Sequence, residues 1–284
     1  MGKETGIAWT DHTFSPWWGC VKVSPACTNC YAETFAKRLG FKVWGPESVR
    51  RKFGDKHWNE PLRWNAAAER DSVRRRVFCS SMADVFEDHP DIGIERLRLF
   101  ALIEATPSLD WQLLTKRPEN LSTMLPLAWL TEPRKNVWLG TTVENQEYAE
   151  QRLPDLLSVD AAVHFVSYEP ALGYVDFRPW LDHECGTPPH SRCPNQIDWI
   201  IAGGESGPRH RPPVPAWFQS VRDQCKASRT RFFFKQHGGA RPTDGGDLLD
   251  GVRHKQFPET PYDVDGRLIN VLASIDWTPV SASA

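Results

Sequence analysis

The stretch VWLGTTVENQEYAEQRLPDLLSVDAAVHFVS, residues 137–167, decides the fold. It opens on a compact apolar run, Val137–Thr141, passes through a helical stretch, Glu144–Leu157, and closes on a second run, Val163–Ser167. Short apolar runs without polar alternation suit strands buried on both faces. Strand, helix and strand within about 30 residues make a β/α/β unit with parallel strands and a right-handed crossover.

The pattern recurs in both directions. Further strand-length runs lie at Val77–Ser81, Trp111–Thr115, Trp199–Ala202 and Arg231–Phe234, and a first strand is expected around Gly6–Trp9. Between them, Ile92–Ala105 places Ile94, Leu97, Ala101 and Leu102 on one helical face. Pro118 stands where a first-turn proline belongs, ahead of Leu121, Met124 and Leu125. Val214–Ala227 presents Trp217, Val221 and Cys225. Six or seven such units in 284 residues predict an α/β fold, a partial or complete parallel β/α (TIM-like) barrel. An open doubly wound sheet is the alternative, but no dinucleotide glycine fingerprint follows the first strand. Residues 1–240 are expected to form the barrel, with an insertion at 181–198 before the sixth or seventh strand. Residues 241–284 form a loop-rich extension with a hairpin around 264–267 and a frayed SASA tail.

Composition is that of an ordinary globular chain, rich in Trp (13) and Pro (23). No apolar run is long enough to span a bilayer and no signal-peptide core stands at the N-terminus, so a cytoplasmic protein without a membrane partner is expected. Seven cysteines in such a chain read as ligands or buried thiols rather than disulfides. The net charge of −2 hides a basic stretch: from Tyr31 to Arg76, twelve Lys and Arg stand against six Asp and Glu. Phe41, Trp44, Phe53, Trp58 and Trp64 interleave with these cations. That pattern suits phosphate contact and base stacking on DNA, RNA or a nucleotide, and equally a solvated surface anchored by its tryptophans.

In a parallel β/α barrel the loops leaving the strands' C-terminal ends build the active site. Here those ends carry Ser80, Ser81 and Asp84; Thr115, Lys116 and Arg117; Thr141, Thr142, Glu144 and Asn145; Ser167, Tyr168 and Glu169; Gly203-Gly204-Glu205-Ser206-Gly207; and Lys235, Gln236 and His237. Caps explain some of these, but Glu144, Glu169, Glu205, Lys116 and Lys235 exceed what capping requires.

Ahead of this ring, WGCVKVSPACTNCYAETFAKRL places Cys20, Cys27 and Cys30 as C-x6-C-x2-C at a loop-to-helix junction. Three thiolates can hold three irons of a four-iron cluster and leave the fourth open. Zinc competes, since Cys-x2-Cys is common in zinc sites and His12 or His57 could supply a fourth ligand. His183, Cys185, His190 and Cys193 in the insertion offer enough ligands for a second metal. Cys79 and Cys225 read as core thiols.

The three cysteines in the first β/α loop, the aromatic Tyr31 after the last of them, and the row of β/α units beyond resemble the radical S-adenosylmethionine superfamily. Its usual first gap is three residues; here it is six. More closely, the chain from about Ile7 to Pro258 is similar to a phage-associated family known for its three-Cys motif. That family carries the stretches seen here as VFCSSMADVF, LLTKRPENL, NVWLGTTVEN, FVSYEPALG and IIAGGESGPRHRP. The resemblance implies a [4Fe-4S] cluster on Cys20, Cys27 and Cys30, with S-adenosyl-L-methionine at the open iron. It further implies an external flavodoxin- or ferredoxin-like electron donor and a 5′-deoxyadenosyl radical that takes hydrogen from a substrate, without naming that substrate. The cysteine loop, the basic-aromatic stretch and the phage association point to a nucleic acid base or nucleotide, in repair or modification. Tyr31, Ser81, Asp84, Lys116, Glu144 and Glu169 are the expected cofactor contacts, with Lys116 toward the carboxylate and Glu144 toward the ribose or amino group. Glu205 and Lys235 are expected on the substrate side. A zinc-stabilised nucleic-acid-binding protein without catalysis, or a radical enzyme for a small metabolite or peptide, are the alternatives.

Overall fold

The computed structural model describes residues 5–181, 196–228, 230–241 and 244–259. Seven strands form one sheet in chain order: β1 (His12–Thr13), β2 (Arg75–Cys79), β3 (Leu109–Thr115), β4 (Val137–Thr142), β5 (Val163–Tyr168), β6 (Trp199–Gly203) and β7 (Arg231–Gln236). Every neighbouring pair is parallel. β1 and β7 are the two edges, so the sheet curls into a partial TIM-like barrel rather than a closed one. The longer helices are α1 (Tyr31–Arg38), α2 (Glu60–Arg70), α3 (Gly93–Glu104), α4 (Gln146–Leu157) and α5 (Pro215–Ser228).

Period-two alternation assigns each strand residue to one of two cores. Val77, Cys79, Trp111, Leu113, Leu139, Val166, Ile200, Phe232 and Phe234 face outward to the helices. Phe78, Trp138, Phe165, Trp199, Ile201 and Phe233 face inward and meet Trp9, filling the floor of the half-barrel with aromatic rings. Gly140 makes that filling possible, because a Cβ there would lie 2.4 Å from the Phe165 ring. Burying Phe165 in this plug contributes about 2 kcal/mol.

The first strand is β1, not the expected Gly6–Trp9. Trp9 turns inward, 4.6 Å from Phe78 by ring centroid, and the backbone pairs only after Thr10, whose hydroxyl accepts from the Phe78 amide. Of the stripe expected on α3 only Leu102 is buried, together with Leu99, Phe100 and Ile103, while Ala101 is exposed, Ile94 is 78% exposed and Leu97 68% exposed. The Arg96 guanidinium lies over that end of the helix instead, donating to Val85 O and Glu87 O. The helix expected after Pro118 breaks into short turns, Leu121–Met124 and Leu127–Thr131, with Pro126 between them. α4 starts at Gln146 because the Asn145 side chain caps it, accepting from the Tyr148 amide.

The free edge of β7 is covered by the chain's own extension. Lys255 pairs antiparallel with Phe233, and Phe257 packs on Phe233 and Trp199 and under the Arg76 guanidinium. This blunts an edge that would otherwise invite pairing with another chain. The insertion's His183, Cys185, His190 and Cys193, and the hairpin expected at 264–267, lie outside the described residues. Among the described residues no helix is long and apolar enough to cross a membrane.

Candidate active site

The cysteine loop lies across the barrel mouth and is held from two sides. On the first side, the Val21 peptide is clamped: its N–H donates to Glu87 Oε1 at 2.8 Å and its carbonyl accepts from Arg117 Nη2 at 2.8 Å. Glu87 is itself paired in the interior with Arg50, through Nε to Oε2 at 3.0 Å and Nη2 to Oε1 at 2.9 Å. Gly19 starts the loop at φ +123°, and a Cβ there would meet Val43 O at 2.3 Å. On the second side, Asn29 donates to Glu205 Oε2 at 3.1 Å and to Arg209 O at 2.8 Å. Arg211 grips both oxygens of Glu205 and reaches Pro25 O at 3.0 Å. The Tyr31 hydroxyl donates to Ser81 O at 2.8 Å, tying the start of α1 to the end of β2.

All three cysteines are free and partly exposed. Burial, with the nearby Asp84 carboxylate, pushes the Cys20 thiol up to about 12 against the pull of Arg117, whose Nη1 lies 3.7 Å from Sγ. Burial also raises Cys30, opposed by the Glu33 and Ala32 amides of the first turn of α1 and by Lys116. The metal-free chain therefore carries thiols here, poised beside donors that favour thiolates once protons are displaced by a metal. Among the described residues no group of three or more His, Cys, Asp or Glu side chains closes on a single metal ion. His57 bonds Ser15 O through Nε2, and His12 stacks on Trp64.

The mouth below the loop is built by the same alternation that made the plug. Continuing the inward series past the aromatics gives Ser80, Lys116, Thr142, Ser167, Glu169, Gly203 and Lys235. Lys116 Nζ donates to Thr142 Oγ1 at 3.2 Å, and Lys235 Nζ pairs with Glu169 Oε1 at 3.0 Å. Gly203 leaves room for that pair, since a Cβ there would stand 2.5 Å from Glu169 Oε1. Ser80 Oγ is buried and has no hydrogen-bond partner among the described residues. Glu144 is fully buried; Oε2 accepts from Arg152 at 2.8 Å, and Oε1 is unpartnered among the described residues.

Other expected site residues are engaged with the protein itself. Asp84 accepts from Thr115 Oγ1, the Lys116 and Phe86 amides and Arg117 Nη1, so it pins the β2 and β3 loops together. Ser81 Oγ lies 3.4 Å from Ser15 Oγ. Glu205 belongs to the latch: burial alone would raise its carboxyl, but the bonds from Arg211 and Asn29 outweigh that and hold it below the usual carboxylate value. Sequence reading did not single out Arg50, Glu87, Asn29 or Arg211 as site residues. Arg211 stood within the quoted run GGESGPRHRP, and that dense pairing of an acid with nearby arginines was the available signal.

Most cations of the basic stretch are exposed, only Arg50 among them being buried, but several of its aromatics and arginines are engaged with the protein itself. Trp58 (3% exposed) and Trp64 are core residues, so they cannot stack on bases. Arg50, Arg74 and Arg76 pair with Glu87, Asp110 and Asp11, and the Arg51 guanidinium sits over the rings of Trp18, Phe41 and Phe53. A cleft of about 530 Å³ opens beside the cysteine loop, between α1 and residues 206–209.

Fold and site together define an α/β half-barrel with a three-cysteine loop strapped over its mouth. The family described as a protein of unknown function (DUF5131) matches residues 4–258, and the chain belongs to it. No curated protein matches the chain. Among solved structures, two variants of spore photoproduct lyase are similar, one with a tyrosine replaced by phenylalanine and one with a cysteine replaced by serine. They are 14% and 15% identical, and each match covers 76% of this chain and 60% of that one at a TM-score of 0.43.

Proposed function

We propose that the chain is an iron–sulfur enzyme of the radical S-adenosylmethionine type, acting on a nucleic acid base or nucleotide. The observation that carries this reading is the cysteine loop itself: three free, partly exposed thiols held over the mouth by Arg117 on one side and the Asn29–Glu205–Arg211 latch on the other. Three cysteines, with His12 stacked on Trp64 and His57 bonded to Ser15 O, suit a cluster with one open iron better than a closed four-ligand zinc site. When bound, the cluster and S-adenosylmethionine supply a 5′-deoxyadenosyl radical for hydrogen abstraction.

The chain's own residues orient and shield that chemistry. Cys20, Cys27 and Cys30 are the cluster ligands. Lys116, whose charge favours the Cys30 thiolate, would hold the cofactor's carboxylate. The free oxygen of Glu144 and the hydroxyl of Ser80 are buried acceptors and donors in need of a ligand partner, and Glu144 suits a ribose hydroxyl or an amino group. Tyr31, Ser81 and Asp84 fix the walls of that site. Glu169 and Lys235, paired with one another on the inward series, would contact the cofactor and the substrate. Glu205 acts as a positioning residue through Asn29. The aromatic plug closes the floor to water. Residues 1–240 with the edge strip at 255–257 form the catalytic unit, and an external flavodoxin- or ferredoxin-like protein supplies the electron.

Anaerobic reconstitution tests the reading. The wild-type chain should take up about four irons per chain with a broad cluster absorbance, and should form 5′-deoxyadenosine from S-adenosylmethionine when reduced. Cys27→Ala should lose both. Zinc without iron in anaerobically prepared protein, or a Cys27→Ala variant with unchanged iron and activity, overturns it.

A further inference from the structure

α1 is amphipathic in an unusual sense. Its buried stripe is only Ala32 and Ala36, which lets the helix lie close against Trp18 and Met82. The adjacent face exposes two aromatics one turn apart, Tyr31 (60% exposed) and Phe35 (44%), and then Arg38. Phe35 meets Trp18 edge-on at 5.9 Å by ring centroid and the Tyr31 hydroxyl is tied to Ser81 O, so both rings are held in place while keeping much of their surface open. Facing them across the cleft are Ser206, Gly207, Pro208 and Arg209. Neither the Arg38 nor the Arg209 side chain has an acidic partner among the described residues. Arg209 is fixed by its backbone instead, its carbonyl accepting from Asn29 between Cys27 and Cys30. The other flank of α1 borders a second hollow of about 330 Å³, again combining aromatics with cations: Phe41, Trp44, Lys37 and Lys42. The single acid there, Glu33, is neutralised by Lys22 and Lys37 at 2.8 and 2.6 Å.

We infer that the cleft between α1 and residues 206–209 seats one nucleotide of a single-stranded nucleic acid, its base on Tyr31 and Phe35 and its flanking phosphates at Arg38 and Arg209. Aromatic faces with lone cations on either side are the recognition chemistry of unpaired nucleotides, because every base has a face to stack and every linkage a charge. A duplex keeps its bases stacked inside and offers this pair of rings nothing. The cleft is of the size that takes a small planar ligand, and it opens beside the cysteine loop. The substrate class therefore sharpens from a nucleic acid base or nucleotide to a base presented by a single strand. Chemistry on the seated base rests on the radical-enzyme reading; binding itself does not.

The test is anisotropy titration of the full chain with labelled single-stranded DNA and RNA decamers, and with a duplex of the same sequence, between about 50 and 200 mM salt. Single strands should bind more tightly than duplex. Phe35→Ala should weaken binding roughly tenfold through lost stacking. Arg38→Gln and Arg209→Gln should each reduce the slope of log affinity against log salt by about 0.7, and Arg63→Gln, exposed on the same basic stretch but away from the cleft, should leave it unchanged. The inference is overturned if no strand binds at about 50 mM salt, if duplex binds more tightly, or if Phe35→Ala binds like wild type. The titration needs neither reductant nor S-adenosylmethionine. An iron-free wild-type chain would count against the radical reading alone, and an iron-loaded chain that ignores oligonucleotides would count against this inference alone.

Discussion

Glu87→Ala should be among the most costly single substitutions in the chain, and its effect can be worked from contacts. Glu87 and Arg50 are both essentially unexposed, and the guanidinium meets the carboxylate through two bonds. Removing the acid leaves a buried cation with two donor groups unpaired, and leaves the Val21 amide without its 2.8 Å acceptor. Breaking a buried pair from one side costs about 3–5 kcal/mol. For a chain of this size that is a fall of about 6–10 °C in the unfolding midpoint. The measurement is thermal unfolding of the reduced, metal-free protein, so cluster loss cannot contribute. A second variant separates charge from wiring. Replacing a buried pair by apolar residues is often neutral. Here Arg50→Met with Glu87→Leu should stay at least about 2 kcal/mol below wild type, because the carbonyls of Val43, Gly45 and Ser48 lose the donor they share in Arg50 Nη1. A midpoint shift below about 2 °C for Glu87→Ala, or full recovery in the double variant, refutes the reasoning.

Gly203→Ala puts a methyl 2.5 Å from Glu169 Oε1, the tip of a flexible side chain, so the carboxylate should swing off Lys235 while the backbone stays. Stability should change by less than about 1 kcal/mol, whereas S-adenosylmethionine affinity of the iron-loaded protein should fall about tenfold, as for a lost charged hydrogen bond; a loss above about 2 kcal/mol would place the crowding on the backbone instead. Glu205 carries the pH prediction. Its folded-state pKa is lowered, so its contribution is full above the unfolded value of about 4.5 and is lost as pH falls through the folded one. Glu205→Gln should therefore flatten the decline in denaturant midpoint between about pH 5 and 3, and an unchanged decline would remove Glu205 from the account of acid sensitivity.

Much of the barrel was legible because strands buried on both faces announce themselves as apolar runs, and their spacing by helices fixes parallel order. Once Phe78, Leu114, Trp138, Phe165 and Phe233 are known to face inward, alternation alone extends the series to Ser80, Lys116, Thr142, Glu169 and Lys235. Alternation fails where the chain leaves the strand. Asp84 stands in a loop, and no periodicity could show that four donors converge on it. α3 misled for a related reason: Ile94 and Leu97 fit a helical stripe, but the Arg96 guanidinium bonds two carbonyls and lies over that end of the helix, so the stripe begins at Leu99.

The cysteine loop marks the other boundary of what spacing can say. C-x6-C-x2-C states how many thiols there are, not which way they face. Their direction is set by contacts between distant residues: Arg117 reaches Cys20 across 97 positions, and Asn29 reaches Glu205 across 176. Both partners leave the C-terminal ends of strands, after β3 and after β6, which is why the loop bridges the mouth instead of folding back on α1. The six-residue first gap contains both anchoring contacts. Between Cys20 and Cys27 the chain must pass from the Arg117 clamp at Val21 to the Arg211 contact at Pro25, and a three-residue gap would end before Pro25. The spacing of the first two cysteines thus spans the contacts that anchor the loop at both rims.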